Sequence, residues 1–249
     1  MTFPQFNRKH LEEALFNPGD YVDYKKLDSR SFPKKMVVTY QSAPLRYFKR
    51  KYAGKYKILR FAGNHDVLKY GQVGLIRMTG IGSPHAITIF EELIAMGAKE
   101  FINIGTAGGL NEEGVFIADK AIRDEGTSHH YIAHGKYAYP DKELTKKLER
   151  TLQRKGIEYR IAPTWTIDAP YRETRKEIEQ YRKEGVATVE MEASALFAVA
   201  KVRKVKIASA FVVSDILGKK WEPKFHHINV KRALNQLVDS AIETLRGKT

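Results

Sequence analysis

The sequence predicts an α/β fold, a largely parallel sheet covered by helices on both sides. Two observations carry this expectation. From about residue 36 onward, short runs rich in β-branched and aromatic residues alternate with helical runs, the pattern of strands joined by covering helices. No repeat, low-complexity tract or Pro/Ser-rich linker interrupts the alternation, and 249 residues with 43% hydrophobic content suffice for one large core. Residues 1–249 are therefore expected to form a single domain, with 1–35 as an N-terminal extension lacking a clear period.

In chain order, residues 9–16 have the makings of a short helix. MVVTY (36–40), YKILRF (56–61) and VGLIRMT (73–79) are strand-like and bounded by turn residues. HAITIFEELIAMG (85–97) places Ile87, Ile89, Phe90, Leu93 and Ile94 near one helical face, with Gly97 as C-cap. FINIG (101–105) reads as a buried strand running into Gly-Thr-Ala-Gly-Gly. A strand is expected around 117–123, and an amphipathic helix over 141–156 starts on Asp and ends on Gly. Strands around 158–163, 186–190 and 206–213 then alternate with helices around 172–183, 191–203 and 228–246. In such sheets ligands bind beyond the C-terminal strand ends.

Composition narrows the function. Cysteine is absent, which excludes disulfides, thiolate metal sites and a cysteine nucleophile; a reducing, cytoplasmic setting is the simplest expectation. No stretch approaches the ~20 apolar residues of a membrane helix, and the N-terminus lacks the basic–apolar–small order of a secretory signal. The net charge of +14 admits two readings: a surface for nucleic acid, or a lysine-rich chain in which some arginines capture anionic substrates. The basic residues are scattered among acidic ones, and only 46–57 resembles a patch, which favours the second.

Five segments at expected strand ends are candidates for chemistry. Gly80-Ile81-Gly82-Ser83-Pro84 precedes a helix, whose N-terminus attracts anions; an ordinary strand-to-helix turn is the plain alternative. Gly105-Thr106-Ala107-Gly108-Gly109 offers small residues, free N–H groups and one hydroxyl, which suit phosphate or a sugar; it lacks the Walker lysine and the dinucleotide spacing, and a tight turn that only packs would also use it. Glu190-Met191-Glu192 sets two carboxylates in an apolar run, where they need partners such as the paired hydroxyls of ribose, or else cap the following helix. Ser214-Asp215 ends an apolar strand and suits proton transfer or an N-cap. Pro44-Leu45-Arg46 offers a guanidinium fork for phosphate, unless Arg46 is merely solvated. Asp124–Tyr131 is dense in titratable groups, but His129 and His130 are adjacent with no matching third ligand, so no metal site is expected.

Taken in order, TGIGSPHAITIFEEL, GTAGGL, DEGTSHHY, VEMEASALF and VVSD resemble the nucleoside phosphorylase-I superfamily, which holds purine nucleoside phosphorylases, uridine phosphorylases and related nucleosidases. The resemblance spans about residues 36–246. It implies a three-layer α/β/α sandwich around a mixed, largely parallel, distorted sheet, and a hexamer built as a trimer of dimers. It implies that Glu192 holds both ribose hydroxyls, that Met191 packs under the sugar, and that Glu190 binds sugar or base. Asp215 resembles the acid that protonates N7 of a purine. Arg46 and Thr106 resemble phosphate ligands, and Arg60 one donated across a dimer interface. Asp168–Thr174 lies where the base-lining loop falls, with Tyr171 to stack on the base and Arg172 to bind a pyrimidine carbonyl. His10 is a candidate for completing a neighbour's site. Two departures stand out. The Gly-Asp of the pattern Gly-Asp-Pro-x-Arg is Ser42-Ala43, and the arginine that phosphorylases carry two residues before the GTAGG-type loop is Asn103.

The resemblance implies phosphorolysis of a purine nucleoside or uridine to free base and ribose 1-phosphate, with inorganic phosphate as co-substrate and no cofactor. A nucleosidase of the same fold, using water, and a non-catalytic basic nucleic-acid-binding protein are the alternatives. The ordered acidic motifs weigh against the latter, so no nucleic acid or membrane partner is expected.

Overall fold

The computed structural model describes residues 3–61 and 65–247. The described residues form eleven strands: β1 (Lys35–Thr39), β2 (Lys57–Arg60), β3 (Asp66–Tyr70), β4 (Val73–Arg77), β5 (Glu100–Gly109), β6 (Val115–Asp124), β7 (Tyr137–Ala138), β8 (Arg160–Ile167), β9 (Thr188–Glu190), β10 (Lys206–Leu217) and β11 (Trp221–Pro223). The helices are α1 (Pro18–Tyr24), α2 (Ser42–Lys51), α3 (Ser83–Ala95), α4 (Lys142–Arg154), α5 (Arg175–Lys183), α6 (Ala193–Arg203) and α7 (Ile228–Arg246). Where a helix of 9–16 was expected there is only a short 3₁₀ turn over Lys9–Leu11.

Local chemistry explains the helix starts. Asn17 and Asp20 form a capping box on α1, with Pro18 in its first turn. Asp141 accepts the Leu144 N–H at 2.8 Å on α4, and Thr174 with Glu177 makes a second capping box on α5. Strand alternation then builds the layers. Val38, Phe101 and Ile207 face one core with α1, α3 and α6; Val37, Ile102 and Ala208 face a second core with α2, α4 and α7. This is the expected sandwich, with helices on both faces of a mixed sheet.

The sheet runs β11-β10-β6-β8-β9-β5-β1-β4-β3-β2, with β10 also pairing β5. The longest ladders, β5–β10 and β6–β8, are parallel. The extra pairing matters: β5, β10, β6, β8 and β9 close into a ring, and β1, β4, β3 and β2 extend from it as an open sheet. The ring forms because β5 and β10 continue beyond the ends expected from sequence. Gly105–Gly109, expected as a loop, is strand: Thr106 pairs Val212 and Gly108 pairs Asp215 on one side, while Gly108 pairs Val189 on the other. A Cβ on Gly109 would lie 2.7 Å from the Glu112 carbonyl oxygen, and one on Gly108 2.6 Å from Leu217. These glycines let strands close tightly around β5, so their backbone groups serve the ladder rather than a phosphate cradle.

Candidate active site

Two parallel strands, β1 and β4, end together at the register at which β5 continues. Thr39 of β1 lies in register with Arg77 of β4 and Ile104 of β5, so Tyr40-Gln41, Met78–Gly82 and Gly105-Thr106 emerge side by side. Gln41 Nε2 donates to Thr106 Oγ1 at 2.9 Å. Gly105 leaves room for the Tyr40 ring, whose Cδ2 lies 3.4 Å from where a Cβ would stand. The chain then turns directly into α2 at Ser42. The Ser42-Ala43 departure therefore does not produce a loop. It places these two residues in the first turn of a helix with no side-chain cap, where backbone N–H groups lack intrahelical acceptors and favour an anion. Exposed Arg46 donates from Nη1 to Ser42 Oγ at 2.6 Å, one turn along the same helix.

Opposite these ends stands the turn after β9. Glu190 Oε2 accepts the N–H groups of Glu192 and Ala193 at 2.8 and 2.7 Å, and its Oε1 accepts the Thr166 hydroxyl at 2.6 Å. Both oxygens are engaged in the fold, so Glu190 braces the start of α6. Glu192 points elsewhere: its Oε1 accepts the Gly82 N–H at 2.6 Å. Gly82 has φ 91°, which side-chain-bearing residues rarely adopt. Ser83 Oγ donates to the Met191 carbonyl at 2.8 Å, the Met191 methyl lies near Gly82, and the Gly80 N–H donates to His85 Nε2 at 3.0 Å. The Glu192–Gly82 and Ser83–Met191 bonds thus tie the two loops together.

Burial, then the neighbouring Glu190, pushes the Glu192 carboxyl up to about 8. Burial pushes Glu190 up to about 7 against its hydrogen bonds, which favour the charged form. Burial, then the charges of Glu192 and Glu190, raise the Tyr40 phenol well above its ordinary range. Its buried hydroxyl has no hydrogen-bond partner.

Asp215 lies further along the same edge, opposite Gly108 across a β-bulge. Ser214 Oγ donates to its Oδ1 at 2.9 Å and Trp221 Nε1 to its Oδ2 at 2.8 Å. Glu173 is half-buried beside it, and burial together with the Asp215 charge pushes its carboxyl up to about 7. The two neighbours expected at the base do not pack here: Tyr171 is 100% exposed and Arg172 is exposed, both on a 3₁₀ turn. Glu173, next in sequence, is the residue that turns inward.

The Asp124–Tyr131 segment is a brace. Glu125 accepts the Ser194 hydroxyl at 2.9 Å, joining the segment to α6. Buried Arg123 bonds Ser128 at 2.9 Å and meets His129. Phe3 packs edge-on against His129 and His130, so the N-terminal segment, including the 3₁₀ turn that holds His10, lies over this brace. Arg60 is not near Thr106 of its own chain. It is exposed at the end of β2, the edge strand, with β3, β4 and β1 between it and β5, about 19 Å of strand spacings. Sequence reasoning missed Tyr40, Gln41, Trp221 and Glu173, since only strand register and tertiary folding bring them to the site.

The chain belongs to the phosphorylase superfamily, whose family model matches residues 53–243. It is 28% identical to the uridine phosphorylase of Thermococcus kodakarensis over 80% of this chain and 77% of that one. It is 30% identical to the purine nucleoside phosphorylase of Plasmodium vivax over 70% and 74%. In fold it is similar to the AMP nucleosidase of Bacteroides thetaiotaomicron (TM-score 0.76, 24% identity, 94% and 100% of the two chains). It is also similar in fold to the uridine phosphorylase of Vibrio fischeri (TM-score 0.76, 24% identity, 89% and 94%).

Proposed function

We propose that the chain is a nucleoside phosphorylase: it cleaves the N-glycosidic bond of a purine nucleoside or uridine with inorganic phosphate and needs no cofactor. The observation that supports this best is the shared strand ends: the Glu192 carboxyl is bonded to Gly82 just beyond β4, and the Gln41–Thr106 pair and the start of α2 lie just beyond the neighbouring β1. A sugar diol on Glu192 then has an anion beside its anomeric carbon. Phosphate, held by Thr106, the first N–H groups of α2 and Arg46, attacks C1′. The C1′–O bond forms, the C1′–N bond breaks, and its electron pair leaves on the base, which takes a proton from Asp215. Positioning and a charge placed next to the oxocarbenium-like centre supply the catalysis. Met191 packs under the sugar. Glu173 shares the base end with Asp215. We further propose that residues 1–249 act as one domain of this kind, in a cytoplasmic hexamer in which Arg60 serves a neighbour's phosphate.

Incubating the chain with inosine, adenosine, guanosine, uridine and methylthioadenosine, each with and without phosphate, tests this: ribose 1-phosphate or its methylthio counterpart forms only by phosphorolysis. One observation favours a hydrolytic reading as the alternative. Asn103 is fully buried and donates to Ser209 at 3.2 Å, so it brings no charge to phosphate. Cleavage at an equal rate without phosphate decides for that alternative.

A further inference from the structure

We propose that Gln41 selects the attacking anion by its proton, so that the site takes phosphate and rejects sulfate; the inference rests on the phosphorolysis reading. Gln41 Nε2 donates to Thr106 Oγ1 at 2.9 Å. The hydroxyl that accepts this bond keeps its own hydrogen, which is free to donate to an anion oxygen. The Gln41 carbonyl oxygen belongs to the same small planar amide and therefore stands beside Thr106. It is buried and has no hydrogen-bond partner, a condition that costs free energy until a donor arrives.

An acceptor in an anion site has a definite chemical consequence. A fully deprotonated oxyanion presents only lone pairs to it and is repelled. Inorganic phosphate near neutral pH still carries a P–OH group, and sulfate carries none. Phosphate thus closes a complete circuit: the Gln41 amide N–H donates to Thr106, the Thr106 hydroxyl donates to a phosphate oxygen, and the phosphate O–H donates to the Gln41 carbonyl. That circuit also orients the phosphate, turning its unprotonated oxygens toward the start of α2 and the sugar. Sulfate leaves the buried carbonyl unpaired.

Calorimetric titration of the full-length chain with inorganic phosphate, with sulfate as competitor, tests this alongside the variants Gln41→Leu and Gln41→Glu. In the wild type, phosphate is expected to bind about tenfold or more tightly than sulfate, the discrimination that one buried hydrogen bond supplies. Gln41→Leu is expected to raise the KM for phosphate about tenfold while leaving the KM for nucleoside nearly unchanged, and to bind the two anions alike. Gln41→Glu keeps an acceptor but adds a charge, and is expected to weaken both anions. A Gln41→Leu variant with wild-type phosphate affinity and selectivity overturns the proposal. So does a wild type that binds sulfate as tightly as phosphate, a measurement that needs no variant to fold. A wild type that cleaves nucleosides equally well without phosphate removes the phosphorolysis reading instead, and anion titration of the same protein still decides the role of Gln41.

Discussion

Glu192 is under two opposed demands. Burial and Glu190 push its carboxyl from 4.5 up to about 8, while the Gly82 N–H favours the charged form. Only the ionised carboxylate can accept from two sugar hydroxyls at once; the protonated form spends one oxygen as a donor. The KM for nucleoside is therefore expected to fall as pH rises toward about 8 and to level off above it, in steady-state kinetics across pH. Glu192→Gln should lose that dependence together with most ribonucleoside affinity. Stability is expected to move the other way. Between pH 4.5 and about 8 the folded carboxyl holds a proton that the unfolded chain has released, so stability falls as pH rises through this window. Melting temperatures followed over the same range should fall less steeply in Glu192→Gln; an identical slope removes Glu192 as the source. At the other end of the site, Asp215→Asn is expected to slow purine cleavage by about 10²-fold, and wild-type turnover on every purine tested defeats its role as acid. Glu192 and Asp215 stand out in the sequence as acids near strand ends, and it is the family resemblance that suggests their roles. Gln41 does not stand out, because nothing local distinguishes a glutamine bonded to residue 106 from one in solvent.

Among the elements, β5 shows where local rules give way. Glycines weaken a strand by propensity, so Gly105–Gly109 looks like a loop, yet close neighbours on both sides make small residues the only ones that fit. A Cβ on Gly109 would stand 2.7 Å from a backbone oxygen and 2.8 Å from both Ile216 and Val213. Gly109→Ala is therefore expected to cost about 2 kcal/mol or more of stability, as overpacking of a tight core does, read as a lower urea midpoint at unchanged slope. An unchanged midpoint shows that the ring relaxes there. Helix α2 escaped notice because its Pro44 and basic run resemble a turn, although proline is tolerated in the first turn of a helix. Strand β11, with three residues, is too short for a pattern. By contrast α4 was plain from its apolar face and its Asp and Gly ends, since burial on one side writes a period into the sequence.

For the whole molecule, alternation of strands and helices was enough to anticipate the layered architecture, but not the closed ring, which depends on long-range pairing of β5 with β9 and β10. Nor does one copy account for Arg60. It lies at the open edge of the sheet, exposed and too distant for its own Thr106, so a phosphate role requires another copy of the chain. That requirement has a sharp consequence. Arg60→Ala damages what a subunit gives its neighbour, whereas Glu192→Ala damages the site it carries. Each variant alone should be poorly active. Co-expressed, they form mixed pairs in which the Arg60→Ala subunit keeps Glu192 and receives Arg60 from its partner, while the reciprocal site has lost both groups. In a random pairwise assembly, about a quarter of all sites are then intact, and the mixture should recover about that share of wild-type activity. Activity no higher than the average of the two variants places Arg60 outside the reaction, and leaves the anion to Thr106, Arg46 and the start of α2 within a single chain.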